Sequence, residues 1–273
     1  MKKILIPTDL SSHSINGIRI ADQIAKKHNG SLTVLYVVDH PFIYSSHVKT
    51  MESMDQVGNQ IMKLATEKVT STINGIGLDQ PVEIKIEKGP ILTTILGYEK
   101  DKDFDLMVVG SKKMNGIGAY LFGTLTDKII HKSTLPVLVV RDYIDFSQID
   151  NILVGSSFKL KDKELKENIE FVRKLRNGSI ELVRINTPTD FMSQDVFDER
   201  VRNLRSLSFL HNCEFTNINF KNPSDGLIYR AVTTKSDMIV IGDKKRSTFR
   251  RWVLGEDIAE KVMDFSNLPV LIL

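Results

Sequence analysis

The feature that most constrains this chain is an internal repeat. Residues 106–141, LMVVGSKKMNGIGAYLFGTLTDKIIHKSTLPVLVVR, align with residues 238–273, MIVIGDKKRSTFRRWVLGEDIAEKVMDFSNLPVLIL, with one inserted residue before the second proline, so that Gly110 and Gly123 correspond to Gly242 and Gly255. Upstream, Lys3-Ile4-Leu5-Ile6-Pro7-Thr8-Asp9 matches Asn151-Ile152-Leu153-Val154-Gly155-Ser156-Ser157, and the run from Gly30 to Val34 matches that from Gly178 to Leu182. Matched blocks in one order mean one supersecondary plan used twice. A length of 273 residues accommodates two cores of ordinary domain size. The joint is expected in the polar stretch DYIDFSQID, Asp142 to Asp150, giving copies at 1–143 and 150–273, the second with less chain between its second and third strands.

Within the first copy, nearly continuous apolar runs at Lys3–Pro7, Leu32–Val38, Val82–Glu87, Leu106–Val109 and Val137–Arg141 predict strands buried on both faces. Ser14–His28, Gln56–Ile73, Ile91–Lys100 and Gly123–His131 carry apolar residues at helical spacing. Ser11, Ser12 or Ser14 can cap the first helix, Gly30 follows its end, and Pro136 stops the fourth. Alternating strand and helix implies an α/β fold: a mainly parallel five-stranded sheet per copy, flanked by helices through right-handed crossovers. The segment from His40 to Asp55 is undetermined between a lid and a helix entrance.

Composition narrows the function. A hydrophobic fraction of 41% and a charged fraction of 26% are ordinary for a globular protein, and 37 basic against 34 acidic residues give a net +3, too small for a general nucleic-acid binder. The cluster Lys244, Lys245, Arg246, Arg250 and Arg251 beside Trp252 is read as a solvated loop. A lone cysteine, Cys213, excludes an internal disulfide and fits a reducing compartment. Apolar runs such as Leu135 to Val140 fall far short of a membrane span, and no export signal precedes Ile4, so the expected location is cytoplasmic. Catalytic motifs of the P-loop, nucleophile-elbow and zinc-helix kinds are absent, and the six histidines lack metal-ligand spacing.

In an open parallel sheet, ligands bind outside the carboxyl ends of the strands, where strand order reverses. Pro7, Thr8 and Asp9 end the first strand there, with a carboxylate suited to ribose hydroxyls or an adenine amine. The fourth strand ends at Gly110, and the chain runs through Lys112 and Lys113 to Gly123 and Thr124 at a helix start, where main-chain N–H groups and a hydroxyl suit phosphate. The alternatives are conformational: Asp9 as a cap or turn residue, the glycines as tight-turn and packing residues.

Gly110-Ser111-Lys112-Lys113, nine residues, then Gly123-Thr124, with Asp9 after the first strand, resemble the universal stress protein family, and the resemblance covers almost the whole chain twice. It implies a Rossmann-like fold of the adenine nucleotide α-hydrolase kind with strand order 3-2-1-4-5. It also implies ATP or another adenine nucleotide as ligand, with Mg2+ accompanying it, and Val38 facing adenine through its backbone. Lys113 stands in place of the family's second glycine. The second copy departs further, with Lys245 at that glycine, Glu256 at the hydroxyl position and Ser156-Ser157 ending its first strand, and is read as degenerate. The resemblance further implies pairing through the last strands, between the two copies or in a homodimer. Two readings follow: a nucleotide-binding stress-response regulator with slow or no turnover, or an interaction module for an unidentified protein partner with both sites decayed.

Overall fold

The computed structural model of the chain describes residues 1–39, 51–101, 103–112, 125–158, 162–242 and 258–273. The chain divides into two compact units, Met1–Ile144 and Asp145–Leu273.

The first unit runs β1 (Lys3–Thr8), α1 (Ser12–His28), β2 (Ser31–Val38), α2 (Met51–Asn74), β3 (Val82–Lys88), α3 (Ile91–Lys100), β4 (Leu106–Gly110), α4 (Leu125–Lys132) and β5 (Val137–Val140). The strands pair in parallel in the order β3-β2-β1-β4-β5, the order that the family resemblance implies. Central strands are apolar throughout because helices cover both faces: Ile4, Leu5, Ile6, Leu106, Met107 and Val108 are wholly buried. Edge strand β3, VEIKIEK, alternates instead and carries an exposed Lys85–Glu83 pair at 2.6 Å. Charge on an exposed edge discourages pairing with other chains.

The helix α2 is longer than its periodicity predicts, taking in residues 51–55 of the segment read as lid or helix entrance; residues 40–50 lie outside the described residues. The cap of α1 is Ser11, whose hydroxyl accepts from the Ser14 main-chain N–H. At the other end Asn29, not Gly30, takes the left-handed turn, at φ 49°. Gly30 is required for a different reason. A Cβ there would stand 2.6 Å from the Met1 carbonyl oxygen, and at the matching Gly178 one would stand 2.2 Å from that of Asp150. The repeated glycine marks where the second strand of each unit enters against the first.

The second unit runs β6 (Asn151–Gly155), α5 (Asp162–Leu175), β7 (Ser179–Asn186), α6 (Gln194–Arg205), β8 (Cys213–Asn219), α7 (Pro223–Thr233), β9 (Met238–Ile241), α8 (Ile258–Phe265) and β10 (Val270–Ile272). Its parallel order, β8-β7-β6-β9-β10, repeats that of the first. Part of the stretch read as a joint is folded into this unit. Phe146 and Ile149 are buried, Asp145 caps a 3-10 turn over Phe146–Gln148, and the Arg176 guanidinium donates to the Ser147 and Ile149 carbonyls.

Candidate functional site

Strand order in the first unit reverses between β1 and β4, and a cleft of about 710 Å³ opens at their carboxyl ends, a size suited to a ligand of nucleotide dimensions. Val38, Ile61, Ala65, Ile91 and Ile95 give it apolar walls; Asp9, Ser11, His13, Ser111 and Lys112 give it a polar rim. Ile91 and Leu125, large side chains left 36% and 40% exposed, both line it, as expected of an apolar surface kept open for an occupant.

The end of β1 is built by hydroxyls. Buried Thr8 donates from Oγ1 to Ser14 Oγ (2.9 Å) and accepts from the Leu10 N–H (3.1 Å), while Ser14 Oγ donates to the Ser11 carbonyl (3.0 Å). The Thr8 proton is thus committed inside the protein, and Thr8 shapes the cleft rather than reaching across it. Leu10 turns the chain at φ 62°, leaving Asp9 exposed at the rim with Oδ1 accepting from the Ser11 N–H (2.9 Å). The cleft walls withdraw water from the Asp9 carboxyl and push it up, but hydrogen bonding, chiefly from the Ser11 hydroxyl and N–H, outweighs this and holds it below its ordinary value of 3.8. Asp9 is therefore an anion at neutral pH. Because its folded-state value is the lower one, its contribution to stability is present above pH 3.8 and is lost as pH falls through the depressed value. Asp9→Asn is expected to flatten that part of the acid-unfolding profile, measured by circular dichroism below pH 4; a profile superimposable on wild type contradicts the assignment.

Pro7 and Val38 also line the cleft. The Val38 carbonyl already accepts from the Gly89 N–H (3.2 Å), so a base reading this backbone would share that oxygen. Gly110 ends β4, and its missing side chain faces α1: a Cβ would stand 2.3 Å from the His13 carbonyl oxygen and 2.5 Å from Ser14 Cα. The packing alternative for Gly110 thus has a concrete basis, and it sets where the first turn of α1 sits beside the cleft. After it, Ser111 continues the ladder to the Val140 carbonyl (2.8 Å) and Lys112 is exposed at the rim. Lys113, Gly123 and Thr124 lie outside the described residues.

Sequence reasoning set His13 aside among scattered histidines and did not find Ile61, Ala65, Ile91 and Ile95. Position in the first turn of the helix that follows the first strand was a signal for His13. The isoleucines carried none beyond their helical spacing, which does not say what lies beneath.

The second unit places bulky and charged side chains at positions matching those in and next to the cleft lining of the first. At the position matching Leu10, Phe158 again takes a left-handed turn, φ 58°, but the residue is 4% exposed and its ring packs edge-on to Phe197 of α6 (5.3 Å) and Phe215 of β8 (6.2 Å). At the position matching Tyr36, Arg184 of β7 is wholly buried, its guanidinium bonded to the Ser157 carbonyl (2.5 Å), Asn186 Oδ1 (3.1 Å) and Asp190 (2.9 Å). Where Asp9 and Val38 stand in the first unit, the second has Ser157 and Asn186, both engaged in this network. Lys245, Gly255 and Glu256 lie outside the described residues. Cys213 is half-buried; burial pushes its thiol up, and the Arg173 guanidinium at 3.3 Å only offsets this, which is the setting of an inert thiol.

No described helix is long and apolar enough to cross a membrane, and no group of three or more described His, Cys, Asp or Glu residues could hold a metal ion.

An open parallel sheet with a ligand-sized cleft at its point of strand reversal defines a Rossmann-like α/β domain. The chain belongs to the universal stress protein family, whose pattern residues 1–141 match. It is similar to a universal stress protein of Methanocaldococcus jannaschii, 28% identical over 141 residues that cover 51% of this chain and 82% of the relative. It is also similar to the universal stress protein YxiE of Bacillus subtilis, 26% identical over 149 residues that cover 51% and 98%. Among solved structures, a universal stress protein from Archaeoglobus fulgidus shares the fold, with a TM-score of 0.69 at 19% identity, over 99% of this chain and 97% of that one.

Proposed function

We propose that the first unit binds an adenine nucleotide in the cleft between β1, β2 and β4, and that the protein acts through the bound state rather than through turnover. The observation that carries this reading is one cleft offering both kinds of surface a nucleotide needs. Val38 and the isoleucines of α2 and α3 form an apolar slot for a base, and Asp9, anionic at neutral pH, suits ribose hydroxyls. Ser111 and Lys112, at the start of the segment leading to Gly123 and Thr124, suit phosphates, and Mg2+ would enter with them. Regulation would follow from a difference in nucleotide affinity between two states of the protein or its assemblies.

The test is the nucleotide content of protein purified without added ligand, released by denaturation and resolved by anion-exchange chromatography. One adenylate per chain is expected, not two, because Phe158 and Arg184 are buried at the positions that match Leu10 and Tyr36 of the first unit. Asp9→Ala is expected to lower the content by about tenfold, the scale of a hydrogen bond to a charged group. No adenylate in wild type, with no thermal shift on adding Mg·ATP, overturns the reading in favour of an interaction module.

A further inference from the structure

We propose that His13 selects for the length of the ligand's phosphate chain; the inference rests on the adenine-nucleotide reading of the cleft. His13 lies in the first turn of α1, with its backbone held against β4 by the contact that forbids a side chain on Gly110. Its Nδ1 stands 3.0 Å from the Arg141 carbonyl oxygen, just past the end of β5, and the Asn16 side-chain amide donates to the same oxygen at 3.3 Å. A carbonyl only accepts, so Nδ1 carries the hydrogen. Nε2 has no hydrogen-bond partner among the described residues, and the ring borders the cleft.

Position along the sheet then decides what Nε2 can meet. Strand order places Val38 of β2 on one side of β1, and Ser111, Lys112 and the Arg141 tether on the other, beyond β4. A nucleotide with its base against Val38 and its ribose at Asp9 extends its phosphates toward β4, so His13 meets the distal phosphates and not the sugar. With a carbonyl on Nδ1 and a phosphate oxygen on Nε2, both ring nitrogens face acceptors. The contact requires the ring to donate from both. AMP, lacking the distal phosphates, gains nothing from this contact.

The experiment is titration of the full chain with AMP, ADP and ATP by isothermal calorimetry, with melting temperatures recorded in parallel. Wild type is expected to prefer ATP over AMP. His13→Asn, whose amide can keep the bond to Arg141 but does not extend to the place of Nε2, is expected to lose that preference by about tenfold with AMP affinity unchanged. His13→Gln, whose amide reaches farther, is expected to retain most of it. An ATP to AMP ratio unchanged in His13→Asn overturns the proposal. Equal losses for both nucleotides with a lowered melting temperature also overturn it, leaving His13 as a tie between α1 and β5. No binding of any adenylate by wild type overturns the underlying reading and this inference together, and is distinguished by failing before any variant is compared.

Discussion

Arg184→Ala is expected to destabilise the second unit by about 3–5 kcal/mol, the cost of removing one partner from a buried ion pair. Arg184 is wholly buried and its guanidinium serves the Ser157 carbonyl, Asn186, and both the carbonyl and carboxylate of Asp190, whose side chain is itself only 10% exposed. Truncation removes donors from several buried acceptors at once and leaves a void beside β7. Against a typical domain stability of about 5–15 kcal/mol, that is a large fraction. Arg184→Met, which restores volume without charge, is expected to cost less if Asp190→Leu is made with it, because the desolvation of both ions is then avoided. Amide hydrogen exchange of β6, β7 and β8 reads the effect in the unit concerned, avoiding the assumption that a two-unit chain unfolds in one step. Protection in Arg184→Ala within about 1 kcal/mol of wild type would contradict a structural role for the network.

Gly110→Ala is expected to destabilise the first unit by at least the ~1–3 kcal/mol typical of overpacking, and to lower nucleotide affinity with it. All three groups nearest the added carbon, the His13 carbonyl oxygen and carbon and Ser14 Cα, at 2.3, 2.4 and 2.5 Å, belong to the main chain. No side-chain rotation relieves the clash, so α1 has to retreat from β4. On the facing side of α1, a Cβ on Gly17 would stand 3.3 Å from the Gly110 nitrogen, so helix and strand meet glycine to glycine. Ser11, His13 and Ser14 ride on that first turn and border the cleft, so the retreat displaces part of the rim. Urea unfolding followed by circular dichroism, paired with calorimetric titration of ATP, measures both. A variant of wild-type stability would show that the helix approach is softer than its geometry, and wild-type affinity in a destabilised variant would separate the helix position from binding.

Much of the fold was legible because its signals are local. Nearly unbroken apolar runs such as LMVV and VLVV mark strands covered on both faces, and the matched blocks gave the repeat. Serines just past β1 marked a helix start, although the choice of Ser11 among them needed coordinates. The position of the candidate cleft was legible in outline, since strand ends and strand reversal are properties of topology: Pro7, Thr8, Asp9, Val38, Gly110 and Lys112 all border it.

Their individual parts were not legible. Whether a threonine hydroxyl is offered to a ligand or spent on Ser14, and whether a glycine admits a phosphate or a helix, depends on what packs opposite, and residues far apart in sequence supply that neighbour. The same holds for the second unit. Its sequence shows a lost aspartate, but not that Phe158 meets Phe197 and Phe215 or that Arg184 of one strand closes on Asp190 and Ser157. By itself the sequence determined the strands, the helices, their doubled order and the edge where a ligand would enter, because periodicity and turn chemistry act over a few residues. That a cleft opens in the first unit, and that Phe158 and Arg184 are buried at the matching positions of the second, was decided by tertiary structure alone, because it requires side chains brought together from separate elements.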